Sequence, residues 1–450
     1  MAQNYVGSNN INLLLPLGQF GSRLAGGQDS ASERYIFTQL NPITRTIFSQ
    51  KDDNILNYLA DDGIPVEPIF YAPIVPMVLI NGSKRIGTGF STDIMCYSPL
   101  QIITYLKSKL VEEPTTQMVS EKDSIDFIPY YEGFCGQISK IAEQKYLFKG
   151  IYELAGPDKI RITELPVGLS TDDFKEHLEK LADTSLVDKA GKKIPATVKD
   201  YDDSSTDVKV DFLITLAKGK LEELVAVQLD HGCNGLEKAF KLTSTNTCTN
   251  MHLFDAQDKL KKYESVTEII DDYFGTRLEL FQTRKDYLIL ALQKELNVLQ
   301  NKVRYITELL EGTIDLRRMK KEAIREMMED KSYDWIDGDH DYKYLIKMSM
   351  DSVSDENVEK LQKEFLQKQK ELADIMGTSP QSMWLQELNI LEQQYAEYKL
   401  GRERLLTGMP AVDTKKKKTA SVAGGKVAGG KVVAKAGGGT KKNIIIEEDI

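Results

Sequence analysis

The chain has 450 residues, with 58 Lys and Arg against 68 Asp and Glu, a net charge of −10, and 41% hydrophobic residues. At roughly 100–200 residues per domain this allows several domains with cores of their own and excludes a wholly disordered chain. No apolar run approaches the roughly 18–20 residues of a bilayer span, and no basic-then-apolar leader opens the sequence, so neither a membrane nor a secretory role is expected. Cys96, Cys135, Cys233 and Cys248 are far apart and form no CxxC pair, which points away from zinc ribbons and toward a reducing compartment. The acidic average argues against nucleic-acid binding only for the mean surface, because a local basic groove can persist in an acidic protein.

Residues 1–95 are rich in Gly, Pro, Asn and aromatics with short apolar runs, among them Ile11–Leu17, Tyr35–Leu40 and Pro73–Asn81. They predict mixed α/β structure with functional loops. The stretch Pro73–Ser91 reads as a buried strand, a turn at Asn81-Gly82 and a second, Gly-rich strand. Residues 96–265 alternate β-like pieces (Tyr146–Tyr152, Lys159–Thr163, Lys209–Leu216, Val225–Gln228) with two or three helices, an α/β domain of its own. Within it, STDDFKEHLEKLAD places Ser170 as an N-cap, Asp173 at the third helical position and Phe174, Leu178 and Leu181 on one face.

From about 266 the texture changes. Leu288, Leu292, Leu296, Leu299, Val303, Ile306 and Leu310 recur at spacings of four and three, a heptad-like stripe on one long helix over 266–311. A second stripe, Val358, Leu361, Phe365, Leu372 and Ile375, is weakened where Lys368 falls on it. After a break at Ser379-Pro380 it continues through Leu385, Leu388, Leu391 and Tyr395, giving a second arm over 355–408. Residues 312–354 lie between the arms, less regular, with Trp335, Tyr342 and Tyr344. This predicts an antiparallel coiled-coil hairpin with a small globule at its far end. At 1.5 Å per residue, a helix of about 45 residues spans ~65 Å. Trp335 and Trp384 are expected to anchor the globule and the second arm, and Tyr130-Tyr131 and Tyr342/Tyr344 to pack. Residues 409–450 are Lys- and Gly-rich low complexity that builds no core, read as a disordered basic tail with either a polyanion-binding or a solubilising role.

Three features of the first region could carry chemistry. A lone Arg-Tyr pair means nothing, since most tyrosines pack, but Arg34-Tyr35 follows a Gly-, Ser- and Asp-rich loop and precedes an apolar strand or helix start, at the edge of a rigid element. A phenol is a poor nucleophile at its free pKa of about 10 and needs help, and an adjacent guanidinium suits phosphate because its fork holds two non-bridging oxygens. The loop Gly18–Arg23 (GQFGSR) could bring backbone N–H groups to a phosphate, with Arg23 supplying charge; an ordinary loop reads the same way. In Lys84-Arg85-Ile86 an apolar side chain sits beside two cations at a hairpin tip, the pattern of a wedge that unstacks bases, or of a surface hairpin whose Ile packs on a neighbour.

The combination NYVGSNNINLLLPLGQFGSRLAGGQDSASERYIFTQLNPITRTIF resembles the breakage-reunion region of eukaryotic-type (type IIA) DNA topoisomerase II. The resemblance continues through KDDNILNYLADDGIPVEPIFYAPIVPMVLINGSKRIGTGFS, ITELPVGLS, KLTSTNTCTNMHLFDAQDKLKKYESVTEIIDDYF and SPQSMWLQEL, over roughly residues 1–405. It implies that Tyr35 forms a phosphotyrosyl bond to the 5′ end of a broken strand, that Arg34 is its transition-state partner, and that Ile86 is the intercalating wedge. Gln19 and Arg23, in the matching loop, and Lys84 and Arg85 would position DNA. The implied fold class is α+β and multidomain. It comprises a partial winged-helix cleavage region (1–95), an α/β tower (96–265), two coiled-coil arms (266–311 and 355–408) flanking an exit-gate globule (312–354), and the disordered basic tail (409–450). The implied reaction is double-strand passage by a homodimer, since one tyrosine breaks only one strand.

Several expected parts of that family lie outside this sequence. The chain opens inside a family motif, with no ATP-binding domain and no acidic metal cluster ahead of the tyrosine. Asp52-Asp53 and Asp61-Asp62 read as solvated loop charges. The run Asp337, Asp339, Asp341 lacks the downstream Gly and Glu of a calcium loop and reads as a solvated turn. The four histidines read as structural or surface groups. No metal site is therefore expected here; Mg²⁺ and ATP would be held by an ATPase/TOPRIM half, in cis or as a separate chain, without which this chain is expected to be inactive. The expected location is the nucleus, or the cytoplasm or a viral factory if a virus encodes it. Two other readings are a non-catalytic DNA-binding scaffold derived from such an enzyme, and a coiled-coil structural protein, which would leave the first 95 residues unexplained.

Overall fold

The computed structural model describes residues 1–111, 126–183, 196–317, 319–336, 338–349 and 353–407; the tail at 409–450 lies outside the described residues. Up to Glu403 the chain forms one unit with three apolar cores.

The first core starts from Ile11, Ile43, Ile47, Ile74 and Leu79. It also takes in Ile102, Ile103 and Leu106 of the helix Pro99–Val111, Phe127, Tyr146 and Phe148, and Cys248 and Met251. Core residues therefore group across position 95, because the helix Pro99–Val111 lays its apolar face on the same interior. The core is closed from far along the chain by Phe281 and by Trp384, Leu388, Leu391 and Tyr395. Asn10 ties the interior together: its amide donates to the carbonyls of Ile80 (2.9 Å), Tyr97 (3.2 Å) and Tyr130 (3.0 Å), and its side-chain oxygen accepts from the Glu132 N–H (2.8 Å).

The expected strand over Pro73–Asn81 is a helical turn at Met77–Ile80. Pro76 has no N–H to give a ladder, and its carbonyl instead accepts from the N–H groups of Leu79 and Ile80 at 3.0 and 3.4 Å, which closes the turn. The hairpin begins one step later, with Ser83–Ile86 antiparallel to Ser91–Ile94. Gly82 makes the bend at φ +68°, where a Cβ would come within 2.7 Å of the Ile94 carbonyl oxygen.

The second core lies under the antiparallel sheet of strands 198–203, 212–216, 159–164 and 151–156, in that order. It joins Ile160, Ile162, Phe174, Leu178, Phe212 and Ile214 with Leu236, Phe240 and Leu242. Ser170 accepts from the Asp173 N–H at 3.1 Å and opens the helix Thr171–Ala182, which buries Phe174 and Leu178 as the spacing predicts. Val225, expected in a strand, ends the helix Lys220–Ala226, because Leu221, Leu224 and Val225 at spacings of three and four all reach this core.

One helix runs from Val266 to Leu310, capped by Ser265 through the Glu268 N–H. Two helices return, Asp355–Gly377 and Pro380–Thr407, with the break at Ser379-Pro380. The pairing is antiparallel. Arg284 meets Glu387, Lys285 reaches the Met376 carbonyl, Glu295 meets Lys368, and Ile306 shares a core with Val358 and Leu361. Leu292, Leu296 and Ile306 of the first stripe are buried, while Leu310 is exposed at its end. Lys368 is accommodated at the seam by Glu295 and Glu371, each at 3.2 Å.

The third core gathers Tyr305, Ile306, Ile314, Ile324, Met328, Tyr333, Tyr342 and Leu345. Trp335 is half outside it, donating its indole N–H to Tyr342 Oη at 2.7 Å. No helix of the described residues is long and apolar enough to cross a membrane.

Candidate functional site

Tyr35 closes a short 3₁₀ turn, Glu33–Tyr35, at the entrance to the strand Phe37–Leu40. That strand pairs with Leu14–Leu17 in the register Leu14↔Leu40 to Leu17↔Phe37. The phenol is thus held at the root of a ladder, yet it is 67% exposed. The Arg34 guanidinium carbon lies 5.2 Å from the centre of its ring. Arg34 is exposed, and among the described residues no carboxylate pairs with it.

The glycine loop that leads up to this turn is shaped by Asp29. Its carboxylate accepts from the Ser22 N–H (2.8 Å), the Ser22 hydroxyl (2.6 Å) and the Gln19 amide (2.7 Å), drawing the two limbs of the loop together. Partial burial pushes the Asp29 carboxyl up, but those hydrogen bonds outweigh it and leave it below the ordinary carboxylate range. Two glycines make the closure possible. A Cβ on Gly21 would sit 2.6 Å from the Gly27 Cα, and one on Gly18 would sit 2.9 Å from Cγ2 of Ile36, the residue after the tyrosine. The loop therefore packs against Ile36, the residue next to Tyr35.

Gln19 is exposed and its side chain serves the loop through Asp29. Arg23 departs from the expectation of a DNA-facing cation. It is only 7% exposed, its guanidinium is ion-paired with buried Glu164, and it also donates to the Leu165 carbonyl at 3.3 Å. Glu164 is further occupied by the N–H of Cys135 (3.0 Å) and of Leu165 (3.0 Å). A guanidinium so placed cannot reach a phosphate without breaking a buried pair, a cost of about 3–5 kcal/mol. Asp29 and Glu164 escaped the sequence reading. Asp after Gly-Gly-Gln hinted at a side-chain-capped turn, whereas nothing local marks Glu164.

Ile86 stands 92% exposed at the end of its strand, opposite Ser91 in the register. Beside it Lys84 is exposed and bridges to Asp93 across the ribbon at 2.9 Å, and Arg85 donates to the Lys84 carbonyl at 3.3 Å. No described contact joins this hairpin tip to Tyr35. They are related through the first core: Asn81, at the foot of the hairpin, accepts from the Ile11 N–H and donates to the Ile11 carbonyl, both at 2.9 Å, just ahead of the strand that pairs with the tyrosine's own.

Among the described residues no group of three or more His, Cys, Asp or Glu side chains gathers as a metal site. Asp339 accepts from the N–H groups of Asp341 and Lys343, and both Asp339 and Asp341 pair with Lys343; Asp337 lies outside the described residues. With Asp339 and Asp341 both paired to Lys343, the described donors there do not fit a catalytic cation. Asp52, expected as a solvated loop charge, is drawn into the interior. It is 3% exposed, not solvated, and binds Arg277 at 2.8 Å and Arg284 at 2.6 Å. Burial of those two arginines is what draws it inside.

The DNA gyrase/topoisomerase IV A-subunit family model matches residues 1–389. The chain is 35% identical to DNA topoisomerase 2 of Acanthamoeba polyphaga mimivirus over 88% of its length and 35% of that protein. It is 35% identical to DNA topoisomerase 2 of Arabidopsis thaliana over 92% of the chain and 29% of that protein. It is 34% identical to human DNA topoisomerase 2-beta over 91% of the chain and 26% of that protein. The crystal structure of the Plasmodium falciparum topoisomerase II DNA-binding, cleavage and re-ligation domain superposes with a TM-score of 0.77 at 35% identity, covering 91% of this chain and 55% of that one. The chain thus spans between 26% and 35% of the length of these three relatives.

Proposed function

The chain belongs to the type II DNA topoisomerase family, and from that premise we propose that it is the strand-cleaving and religating portion of such an enzyme, acting on double-stranded DNA. The observation that carries the proposal is Tyr35 itself: a solvent-facing phenol at the root of a strand ladder, with an unneutralised guanidinium beside it and a clamped glycine loop against the residue that follows it.

The chemistry is a transesterification. Tyr35 Oη attacks a backbone phosphorus, the P–Oη bond forms, and the P–O3′ bond breaks with its electron pair leaving on O3′. The phenol gives up its proton to solvent or a base, and the departing 3′ oxygen takes one up. Because one phosphoester replaces another, resealing by attack of the 3′ hydroxyl needs no added energy source. Arg34 offsets charge on the non-bridging oxygens as phosphorus changes partners. The ladder and the loop hold the phenol in place, so that little ordering remains to be done when DNA arrives.

In this reading Ile86 is the wedge that enters a base step, with Lys84 and Arg85 near the flanking phosphates. The region around the first core corresponds to the winged-helix part, the sheet over the second core to the tower, and the helix pair with the third core to the coiled coil and exit gate. Cutting both strands takes two copies of Tyr35, so the working form is a homodimer. The metal and the nucleotide belong to an ATPase/TOPRIM portion, in cis or as a second chain.

The test is covalent capture. The chain is incubated with a labelled duplex, Mg²⁺ and the ATPase/TOPRIM portion, then denatured and run on a gel. An adduct that disappears in Tyr35→Phe, with DNA binding retained, supports the proposal. DNA binding with no adduct in the wild-type chain overturns it in favour of a scaffold.

A further inference from the structure

The hairpin that carries Ile86 is two strands wide, and a two-stranded ribbon is marginal on its own in water. Its tip residue can prise a base step apart only if the ribbon does not swing away under load. What holds it lies about 160 residues further on, in the strand Met251–Phe254 and the residue before it. The Asp93 N–H donates to the Asn250 carbonyl at 2.8 Å. The Asn250 amide donates to Ser91 Oγ at 2.9 Å, and Ser91 is the residue directly across the register from Ile86. Asn250 is itself fixed by His252, whose Nδ1 lies 2.9 Å from the Asn250 side-chain oxygen and so carries the proton in this pairing. Behind the turn, Phe90 meets Phe254 edge to face at 5.8 Å. Phe90 can fold back this way because position 87 is glycine, where a Cβ would fall 2.8 Å from the Phe90 ring.

We propose that Asn250 is a positioning residue for DNA deformation: through Ser91 it fixes the strand opposite Ile86, and His252 in turn fixes Asn250. This deepens the wedge reading of Ile86 and rests on it. Asn250 needs no contact with the DNA. It acts by keeping the wedge strand from yielding, so its loss lowers the bent fraction while leaving the phosphate contacts that dominate affinity in place.

The experiment uses the full chain with the ATPase/TOPRIM portion and a short duplex carrying a fluorophore at each end. Energy transfer reports bending, anisotropy reports binding, and a thermal melt reports folding. Asn250→Ala and Ser91→Ala are each expected to lower the bent fraction about fivefold, the worth of one net hydrogen bond, with Kd and melting temperature close to wild type. The double variant should be no worse than either single one, because both remove the same bond. Ser91→Thr, which keeps the hydroxyl, should restore bending. If Ile86→Ala abolishes bending and Asn250→Ala and Ser91→Ala leave it intact, the brace is wrong and the wedge stands. A fully additive double variant would likewise overturn the shared bond. If Ile86→Ala itself leaves bending unchanged, the wedge reading fails, and the brace with it. Should Asn250→Ala fail to fold, the Ser91 pair of variants decides.

Discussion

Asp52 and Arg284 meet at 2.6 Å in the interior, 232 residues apart in the chain. Asp52 also holds Arg277 at 2.8 Å, and Arg284 holds Glu387 of the returning arm at 2.6 Å. Both guanidiniums stack over Phe281 at 4.4 Å, and Phe281 stacks in turn on Trp384 at 5.5 Å. The network therefore ties Asp52 of the first region to the long helix Val266–Leu310 and to the returning helix Pro380–Thr407 at one point. Asp52→Ala would leave two buried cations with one acid between them. It should cost about 3–5 kcal/mol, read as a fall in the denaturant midpoint. A loss below 1 kcal/mol would show that the pair is not buried in solution.

Trp384 donates its indole N–H to the Ile74 carbonyl at 3.0 Å and is fully buried. Trp384→Ala should destabilise by about 3–5 kcal/mol, whereas Trp335→Ala, at a half-exposed position, should fall well short of that. Comparable melting curves for the two variants would contradict the assignment of Trp384 to the central core.

Arg34, like Arg85 and unlike Arg23 and Lys84, has no carboxylate partner among the described residues, and it alone of these stands next to Tyr35. Arg34→Lys keeps the charge and loses the planar fork. Covalent adduct formation should drop by about 100-fold with duplex affinity almost unchanged, since the interaction is made with the reacting phosphorus and not with DNA in general. Equal losses of binding and cleavage would make Arg34 an ordinary phosphate contact.

Asp29 has its carboxyl depressed, so what its ionised form contributes to the loop is fully present above the ordinary carboxylate value of 3.8 and is lost as pH falls below it. The loop should hold from neutral pH down to about 5 and loosen only on further acidification. Asp29→Ala should bring that loosening to pH 7, seen as faster proteolysis between Gly18 and Asp29 and a several-fold weaker adduct signal. An unchanged cleavage pattern in the variant would remove Asp29 from the scaffold of the site.

Between the antiparallel helices Val266–Leu310 and Asp355–Gly377, Lys368 meets Glu295. Lys368→Leu should stabilise the arms or leave them unchanged, because a half-exposed ion pair is worth about 0–1 kcal/mol and a leucine would extend the apolar stripe. A drop of more than 1 kcal/mol would show that the pair sets the register.

The candidate nucleophile was legible in the sequence because its context is contiguous. Arg34-Tyr35, the glycine loop before it and the Lys84-Arg85-Ile86 triplet are each a short string whose chemistry follows from neighbours in the chain. The two helical arms were legible for the same reason, since a spacing of three and four repeats locally. The strand expected at Pro73–Asn81 and the one at Val225 failed where two structures compete over a few residues and a proline carbonyl or a nearby apolar face tips the balance.

Which charges are free is a different kind of property. Arg23 and Arg34 look alike as letters, but Arg23 finds Glu164 across 141 positions while Arg34 meets no acid among the described residues. Asp52 looks like any loop aspartate until two arginines from the long helix arrive. Read along the chain, the residues already put a phenol, an adjacent guanidinium and an apolar residue beside two cations on offer. Which cations are spent in the interior and which stay exposed to solvent was settled only by folding, because the cost of burying a charge depends on a partner brought close by the fold, which local pattern does not encode.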